Sequence, residues 1–172
     1  MSESDASRLT PYSSRDEIFM RRALELARHA EESGEVPVGA LVVLNDEIIG
    51  EGWNQPVALC DPTAHAEMIA ITQAADFLRS QGGEKHRGSL EKASLYVTVE
   101  PCPMCAGALV ISHCEDLIFA AKDAKTGACG SLYNIAQDDR LNHRLNVISG
   151  IMENDAKLLL QEFFRSLRKD KR

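Results

Sequence analysis

The 172-residue sequence lacks the features that define several classes of protein. It has no apolar run near the roughly 20 residues that a membrane-spanning helix needs, and this absence indicates a soluble protein. Residues 1–12 are polar and contain no apolar core of a secretory signal. With 11 glycines and 6 prolines the chain is neither collagen-like nor of low complexity. Because no repeat or long linker divides it, we expect one globular domain.

The number of cysteines is small and odd. There are 5 cysteines, and two of them, Cys102 and Cys105, have the spacing C-x-x-C. An odd set with this spacing argues against a secreted disulfide framework and favours metal or redox chemistry in a reducing compartment. We therefore expect a cytoplasmic protein.

Basic side chains are outnumbered by acidic ones, 19 to 26. The formal net charge of −7 argues against capture of nucleic acid by the whole surface. The charge is uneven, however, because residues 157–172 carry six basic and two acidic side chains. This segment is either the solvated face of a helix with a frayed end or a local patch that contacts phosphates.

Hydrophobic periodicity predicts four helices and five strands. Ser14 and Glu17 fit a capping box at the start of the first helix, and Asp61 and Pro62 fit the start of the second. The first two strands form a hairpin, and the next two form a parallel βαβ unit. The strands are predicted at residues 38–44, 47–53, 93–99, 116–121 and 146–149.

These elements predict a three-layer α/β/α fold with a central mixed, roughly five-stranded sheet. We expect a single domain over residues 14–169. A disordered extension at residues 1–13 should precede it, and a basic tail at residues 170–172 should follow it. The loop at residues 81–92 is polar and rich in glycine, which is typical of a surface connection.

Two short segments carry the metal-binding residue types. His65 lies in the first, and Cys102 and Cys105 lie in the second, at the predicted start of a helix. One imidazole and two thiolates form a donor set that zinc prefers. Three ligands rather than four leave one position for water, whose pKa zinc lowers toward about 7. The spacing therefore predicts a catalytic zinc site.

Glu67 follows His65 by two residues. Positions two apart on a helix point about 200° away from each other, so Glu67 should not join His65 as a ligand. It can still flank the water if the helix end meets the metal nearly end-on. A carboxylate there can accept the proton of the water and deliver it to a leaving group.

The H-x-E and P-C-x-x-C motifs together form a signature of zinc deaminases. With the sequences VPVGA, GWN, DPTAHAE and DAKTGA at residues 36–40, 52–54, 61–67 and 123–128, the chain resembles the bacterial tRNA-specific adenosine deaminases of the cytidine deaminase superfamily. The resemblance extends over nearly the whole chain. It implies the cytidine-deaminase-like fold, a deaminase domain, and a homodimer that binds the anticodon stem-loop of a tRNA.

The resemblance also implies a reaction and roles for particular residues. The reaction is zinc-dependent hydrolytic deamination of adenosine to inosine at the wobble position of the anticodon loop. His65, Cys102 and Cys105 match the zinc ligands, and Glu67 matches the residue that transfers protons.

Three further residues match substrate-binding positions of that family. Asn54 matches an asparagine that binds the purine, Asp123 matches an aspartate near the RNA backbone, and Phe164 matches an aromatic residue that contacts the anticodon loop. Each has a structural alternative. Asn54 could close the hairpin, Asp123 could form a turn, and either Phe163 or Phe164 could pack in the core.

Two other functions remain open at this point. The metal signature is also compatible with a deaminase of a free nucleobase or nucleoside, such as guanine or cytosine. A non-catalytic RNA-binding subunit stabilised by zinc is a second possibility, although it has no need of Glu67. The segment at residues 123–132 and the basic C-terminal helix favour an RNA substrate over a free base.

Overall fold

The structure, a computed structural model, describes residues 12–82 and 87–170. The predicted extension and basic tail lie outside these ranges, except for positions 12, 13 and 170. No helix in the described ranges is long and apolar enough to cross a bilayer. The elements, in chain order, are α1 (Ser14–Glu32), β1 (Gly39–Leu44), β2 (Glu47–Trp53), α2 (Ala66–Gly82), β3 (Ser94–Val99), α3 (Pro103–Ile111), β4 (Asp116–Ala121), a short 3-10 helix (Ile135–Gln137), β5 (Asn146–Ser149) and α4 (Glu153–Asp170).

The five strands form one mixed sheet with the order β2-β1-β3-β4-β5. Strand β1 is antiparallel to both β2 and β3, whereas β3, β4 and β5 are parallel. Helices α2 and α3 pack on one face of the sheet, and α1 and α4 pack on the other. The three-layer fold, the mixed sheet and the parallel βαβ unit are therefore confirmed.

The sheet alternates its side chains between two apolar cores. Ala40 and Val42 of β1 pack toward α2 and α3, whereas Leu41 and Val43 pack toward α1 and α4. Both sets are buried, because successive residues of a strand point to opposite faces. A strand that is apolar on both faces can only lie in the middle of a layered fold.

The predicted hairpin is present and turns through two residues. Asn45 and Asp46 have φ angles of 50° and 68°. Two successive left-handed residues are typical of the type I′ turn, which matches the twist of paired strands and which Asn and Asp tolerate. The hairpin brings the end of β2, and Asn54 after it, toward the start of α2.

Two helix starts differ from the sequence prediction. The capping box of α1 is formed by Ser13 and Asp16 rather than by Ser14 and Glu17. Helix α2 begins at Ala66, not near Asp61, because the Asp61 carboxylate accepts hydrogen bonds from the backbone N–H and hydroxyl of Thr63 and closes a turn instead. As a result, His65 directly precedes α2.

Helix α2 lies unusually close to β2. A Cβ atom on Gly52 would come within 2.3 Å of the Ala66 carbonyl oxygen, and one on Gly50 would come equally close to the Ala70 carbonyl. Real Cβ atoms do not approach backbone this closely, so only glycine permits the contact. The first turn of α2 is therefore fixed directly against the sheet.

Candidate metal centre and active site

The three predicted metal ligands lie together between two helix starts. His65 directly precedes α2, Cys102 is the N-cap residue of α3, and Cys105 is buried in the first turn of α3. The Nδ1 atom of His65 is 3.7 Å from the Sγ atom of Cys102 and 3.6 Å from that of Cys105. All three ligand atoms lie within 4.8 Å of one another.

This triangle fits a zinc ion. Bonds of about 2.3 Å to sulfur and about 2.0 Å to nitrogen, at a tetrahedral angle, place the two donor atoms about 3.5 Å apart. The two separations between nitrogen and sulfur are close to that value. Among the described residues, no fourth His, Cys, Asp or Glu joins the group. The donor set is therefore that of a catalytic site with one open position.

The electrostatics of the cysteine pair also suit a cation. A hydrogen bond from the buried Cys105 thiol, together with the nearby His65, lowers the pKa of Cys102 to about 4. The same contact and burial raise the pKa of Cys105. A backbone hydrogen bond from Cys105, in the first turn of α3, also lowers the pKa of Cys102, and the partial positive charge of a helix start favours thiolates in general.

Glu67 lies in the first turn of α2, on the cavity that His65 also lines. The residue is only 4% exposed. Burial raises the pKa of its carboxyl group, while the nearby His65 acts in the opposite direction. A buried carboxyl with a raised pKa is suited to hold and release a proton beside a metal.

An open cavity of about 460 Å³ leads to these residues. Its size lies within the range of small-molecule sites, which is roughly 300–1,000 Å³. Strand ends, helix starts and the C-terminal helix all contribute to it. Its lining includes Val36, Val38, Asn54, Pro56, His65, Glu67, Glu100, Cys102, Lys122, Asp123, Lys125, Thr126, Leu160 and Phe164.

Asn54 is buried between the hairpin and α2, at 8% exposure. Its Oδ1 atom accepts a hydrogen bond of 3.0 Å from the backbone N–H of Ala66, so the side chain caps α2 from a distance. Among the described residues no partner is found for its Nδ2 group, and the residue lines the cavity. Asn54 therefore has a structural role and still presents a polar group to the cavity.

Asp123 forms a turn, as the structural alternative predicted. Its Oδ1 atom accepts hydrogen bonds from the backbone N–H groups of Lys125 and Thr126, and its Oδ2 atom accepts one from the Thr126 hydroxyl. Although burial raises the pKa of the carboxyl, these bonds and Lys125 lower it overall. The turn belongs to residues 122–131, which we call the rim loop, and it places Lys125 at the cavity mouth.

Glu100 is a residue of the site to which the sequence assigned no role. It directly follows the apolar strand β3, two positions before Cys102, and its carboxylate accepts hydrogen bonds from Asp123, Cys129 and Ser131. A charged residue directly after an apolar strand and directly before the cysteine motif is the sequence signal that could have singled it out.

The two adjacent phenylalanines of α4 face different surroundings. Phe163 is 6% exposed and packs in the core, whereas Phe164 is 43% exposed and lines the cavity. A second groove continues from the cavity along α4. It is lined by Lys125, Leu160, Gln161, Phe164, Arg165 and Arg168.

The fold and the site define the class of protein. The model of the cytidine and deoxycytidylate deaminase zinc-binding region matches residues 13–121, which span both the His65 segment and the cysteine motif. The match agrees with the layered fold and with a donor set for one zinc ion per chain. The protein is therefore a zinc-dependent deaminase.

Curated relatives refine this class. A tRNA-specific adenosine deaminase of Bacillus subtilis is 45% identical over 157 residues, covering 91% of this chain and 93% of the relative. One of Aquifex aeolicus is 46% identical over 152 residues, covering 88% and 95%. The chain belongs to the family of the tRNA-specific adenosine deaminases.

Solved structures show the same fold. A structure from work on A-to-I editing by tRNA:A34 deaminases at the wobble position of transfer RNA has a TM-score of 0.75 and 38% identity, covering 83% of this chain and 99% of that one. A guanine deaminase of Bacillus subtilis has a TM-score of 0.55 and 38% identity, covering 62% and 64%.

Proposed function

We propose that the protein hydrolyses adenosine to inosine at the wobble position of a tRNA anticodon loop, with one zinc ion per chain. The observation that carries this proposal is the triangle of His65, Cys102 and Cys105, with buried Glu67 beside it, on a cavity of about 460 Å³. Relatives that are 45–46% identical over most of the chain are named tRNA-specific adenosine deaminases.

Glu67 is the residue that moves protons. When bound, zinc supplies a Lewis acid that makes water nucleophilic near neutral pH. Glu67 accepts one proton as the water oxygen bonds to C6 of adenine, and transfers it to ring N1. Glu67 then carries the remaining hydroxyl proton to the exocyclic nitrogen, the bond from C6 to that nitrogen breaks, and ammonia leaves. Adenosine and water are thereby converted to inosine and ammonia.

Asn54 is proposed to orient the base. Its Oδ1 atom is already bonded to Ala66, so the free Nδ2 group is the one that can donate a hydrogen bond to an acceptor nitrogen of the purine. An amide held on its other side by a backbone bond loses little further freedom when the base binds.

The outer part of the site is proposed to bind the RNA chain. Phe164 offers an exposed ring on which an unpaired base can stack. Lys125, Arg165 and Arg168 line the adjoining groove and supply positive charge for phosphates. Asp123 contributes by shaping the turn that presents Lys125, because its own carboxylate oxygens are used within that turn.

The alternative is a deaminase of a free base, since guanine deaminase structures share the fold. The basic groove favours RNA, because a free base carries no phosphate to neutralise.

Purified protein should be offered an anticodon stem-loop with wobble adenosine, beside free adenosine, cytidine and guanine, with ammonia release and zinc content measured. We expect inosine in the RNA alone. Turnover of a free base without reaction of the RNA would establish the alternative.

We also propose that the chain forms a homodimer in the cytoplasm, as the resemblance implies. Ile111 is 78% exposed and shares an apolar groove between α2 and α3 with Met68 and Ile71. None of the 5 cysteines forms a disulfide, which agrees with a reducing compartment. Sedimentation should give twice the chain mass for the protein and the single mass for Ile111→Asp. A monomeric wild type would contradict the proposal.

A further inference from the structure

Three carboxylate side chains are buried among the described residues: Glu35, Glu67 and Glu100. Glu67 serves the proposed chemistry, and the other two do not. Burial of a carboxylate is costly unless hydrogen bonds replace its water shell. The partners of Glu35 and Glu100 therefore indicate what each carboxylate holds in place. Glu35 accepts two backbone hydrogen bonds, from Val57 and Ala58.

Glu100 is the more extensively bonded of the two. Its Oε1 atom accepts the backbone N–H groups of Cys129 and Ser131, at 3.0 and 2.9 Å. Its Oε2 atom accepts the backbone N–H of Asp123, at 3.1 Å, and the hydroxyl of Ser131. All four donors come from the rim loop.

Gly127 makes room for this arrangement. A Cβ atom at that position would come within 2.5 Å of the Glu100 carboxylate and within 2.4 Å of the Asp123 carbonyl oxygen. The backbone of the rim loop thus wraps directly around the carboxylate. A side chain at position 127 would displace either the Glu100 carboxylate or the backbone of the rim loop.

We propose that Glu100 is a positioning residue that sets substrate affinity by fixing the rim loop, and through it Lys125, against the catalytic centre. The substrate in question is the RNA of the proposed function, on which this inference rests. Glu100 itself lies between β3 and the cysteine motif, and Lys125 lies between its anchor points at Asp123 and Cys129. Lys125 lines both the cavity and the basic groove.

This arrangement separates binding from chemistry. Glu67 lies in α2 and His65 directly before it, and the two cysteine ligands lie at the start of α3. Loss of the bonds to Glu100 should release the rim loop while these helices keep their places. The effect is therefore expected in KM for the RNA rather than in kcat.

The first experiment tests the loop without reference to the substrate. Glu100→Gln keeps the size of the side chain but replaces one accepting oxygen with a donating NH2 group. Amide hydrogen exchange at Asp123, Cys129 and Ser131 should accelerate at least about tenfold, equivalent to about 1.4 kcal/mol. Asp138→Asn is the control. It makes the same change from a carboxylate to an amide, but Asp138 accepts hydrogen bonds from Arg140 and not from the rim loop. Unchanged exchange in Glu100→Gln would overturn the inference, whatever the substrate.

The second experiment uses the zinc-loaded enzyme and the anticodon stem-loop. We expect Glu100→Gln to raise KM about tenfold or more, with kcat changed less than about threefold and zinc retained. Lost zinc, or a fall in kcat at constant KM, would overturn the inference. If Glu100→Gln fails to fold, Ser131→Ala removes one donor and should move both readouts in the same directions. A wild-type enzyme inactive on the RNA refutes the proposed function, whereas the exchange result still decides the role of Glu100.

Discussion

The same substitution at the adjacent residues Phe163 and Phe164 can separate core packing from the substrate binding that we propose for Phe164. Phe163 is 6% exposed, and replacement of a buried Phe by Ala costs about 3–5 kcal/mol. At about 2–4 °C per kcal/mol for a chain of this size, Phe163→Ala should lower the unfolding temperature by about 6–20 °C.

Phe164→Ala should instead cost little stability and raise KM for the RNA. The residue is 43% exposed, and full burial of such a side chain is worth about 1.5–3 kcal/mol, so we expect a loss of about 1 kcal/mol. A base stacked on an aromatic ring is worth about 1–3 kcal/mol. Phe164→Ala should therefore raise KM for the anticodon stem-loop by about 5- to 150-fold.

The assay measures thermal unfolding of both variants, and inosine formation well below either transition. The two rings are in edge-to-face contact, with centroids 5.4 Å apart, so Phe163→Ala is expected to change KM slightly. The reasoning is refuted if the two variants lose equal stability, or if Phe164→Ala leaves KM unchanged.

Three further predictions follow from the site and the fold. Glu67→Gln should lower kcat by about 10²–10⁴-fold with one zinc retained, as turnover and metal analysis would show; near-normal kcat would remove Glu67 from the mechanism. Cys102→Ala should lose zinc, and a full complement of metal would show that the ligand assignment is wrong. Burial raises the pKa of Asp16, but hydrogen bonds with Tyr96 and Ser13 lower it overall, below its ordinary value of 3.8. Because the pKa of Asp16 is lower in the folded than in the unfolded protein, its contribution to stability is present above pH 3.8 and is lost as pH falls through the lowered pKa. Asp16→Asn should therefore flatten the acid dependence of thermal unfolding below about pH 5.

The predictable parts of the structure depend on local pattern. The hairpin follows from two apolar runs around Asn45 and Asp46, and the βαβ unit follows from runs on either side of a short helix. The spacing of Cys102 and Cys105 needs only one helical turn. The spacing alone does not predict that these cysteines meet His65. That prediction also used the order of the two motifs along the chain.

The parts that were missed depend on long-range contacts. Asp61 and Pro62 fit a helix start locally, but α2 begins at Ala66, where the side chain of Asn54 supplies the cap from twelve residues away. The anchoring of the rim loop by Glu100 spans 23 to 31 positions of the chain. Local propensity contains no information about such partners, and only the packed sheet brings them together.

The glycine contact between α2 and β2 has a consequence for redesign of the enzyme. Any larger residue at position 50 or 52 would push the helix away from the strand, and at position 52 the clash is with Ala66, next to Glu67 in the first turn of α2. The position of Glu67 therefore depends on two glycines, because the absence of their side chains allows the helix to lie directly against the strand. Substitutions intended to widen substrate specificity should be tolerated better at exposed positions around the cavity than along the contact between α2 and β2.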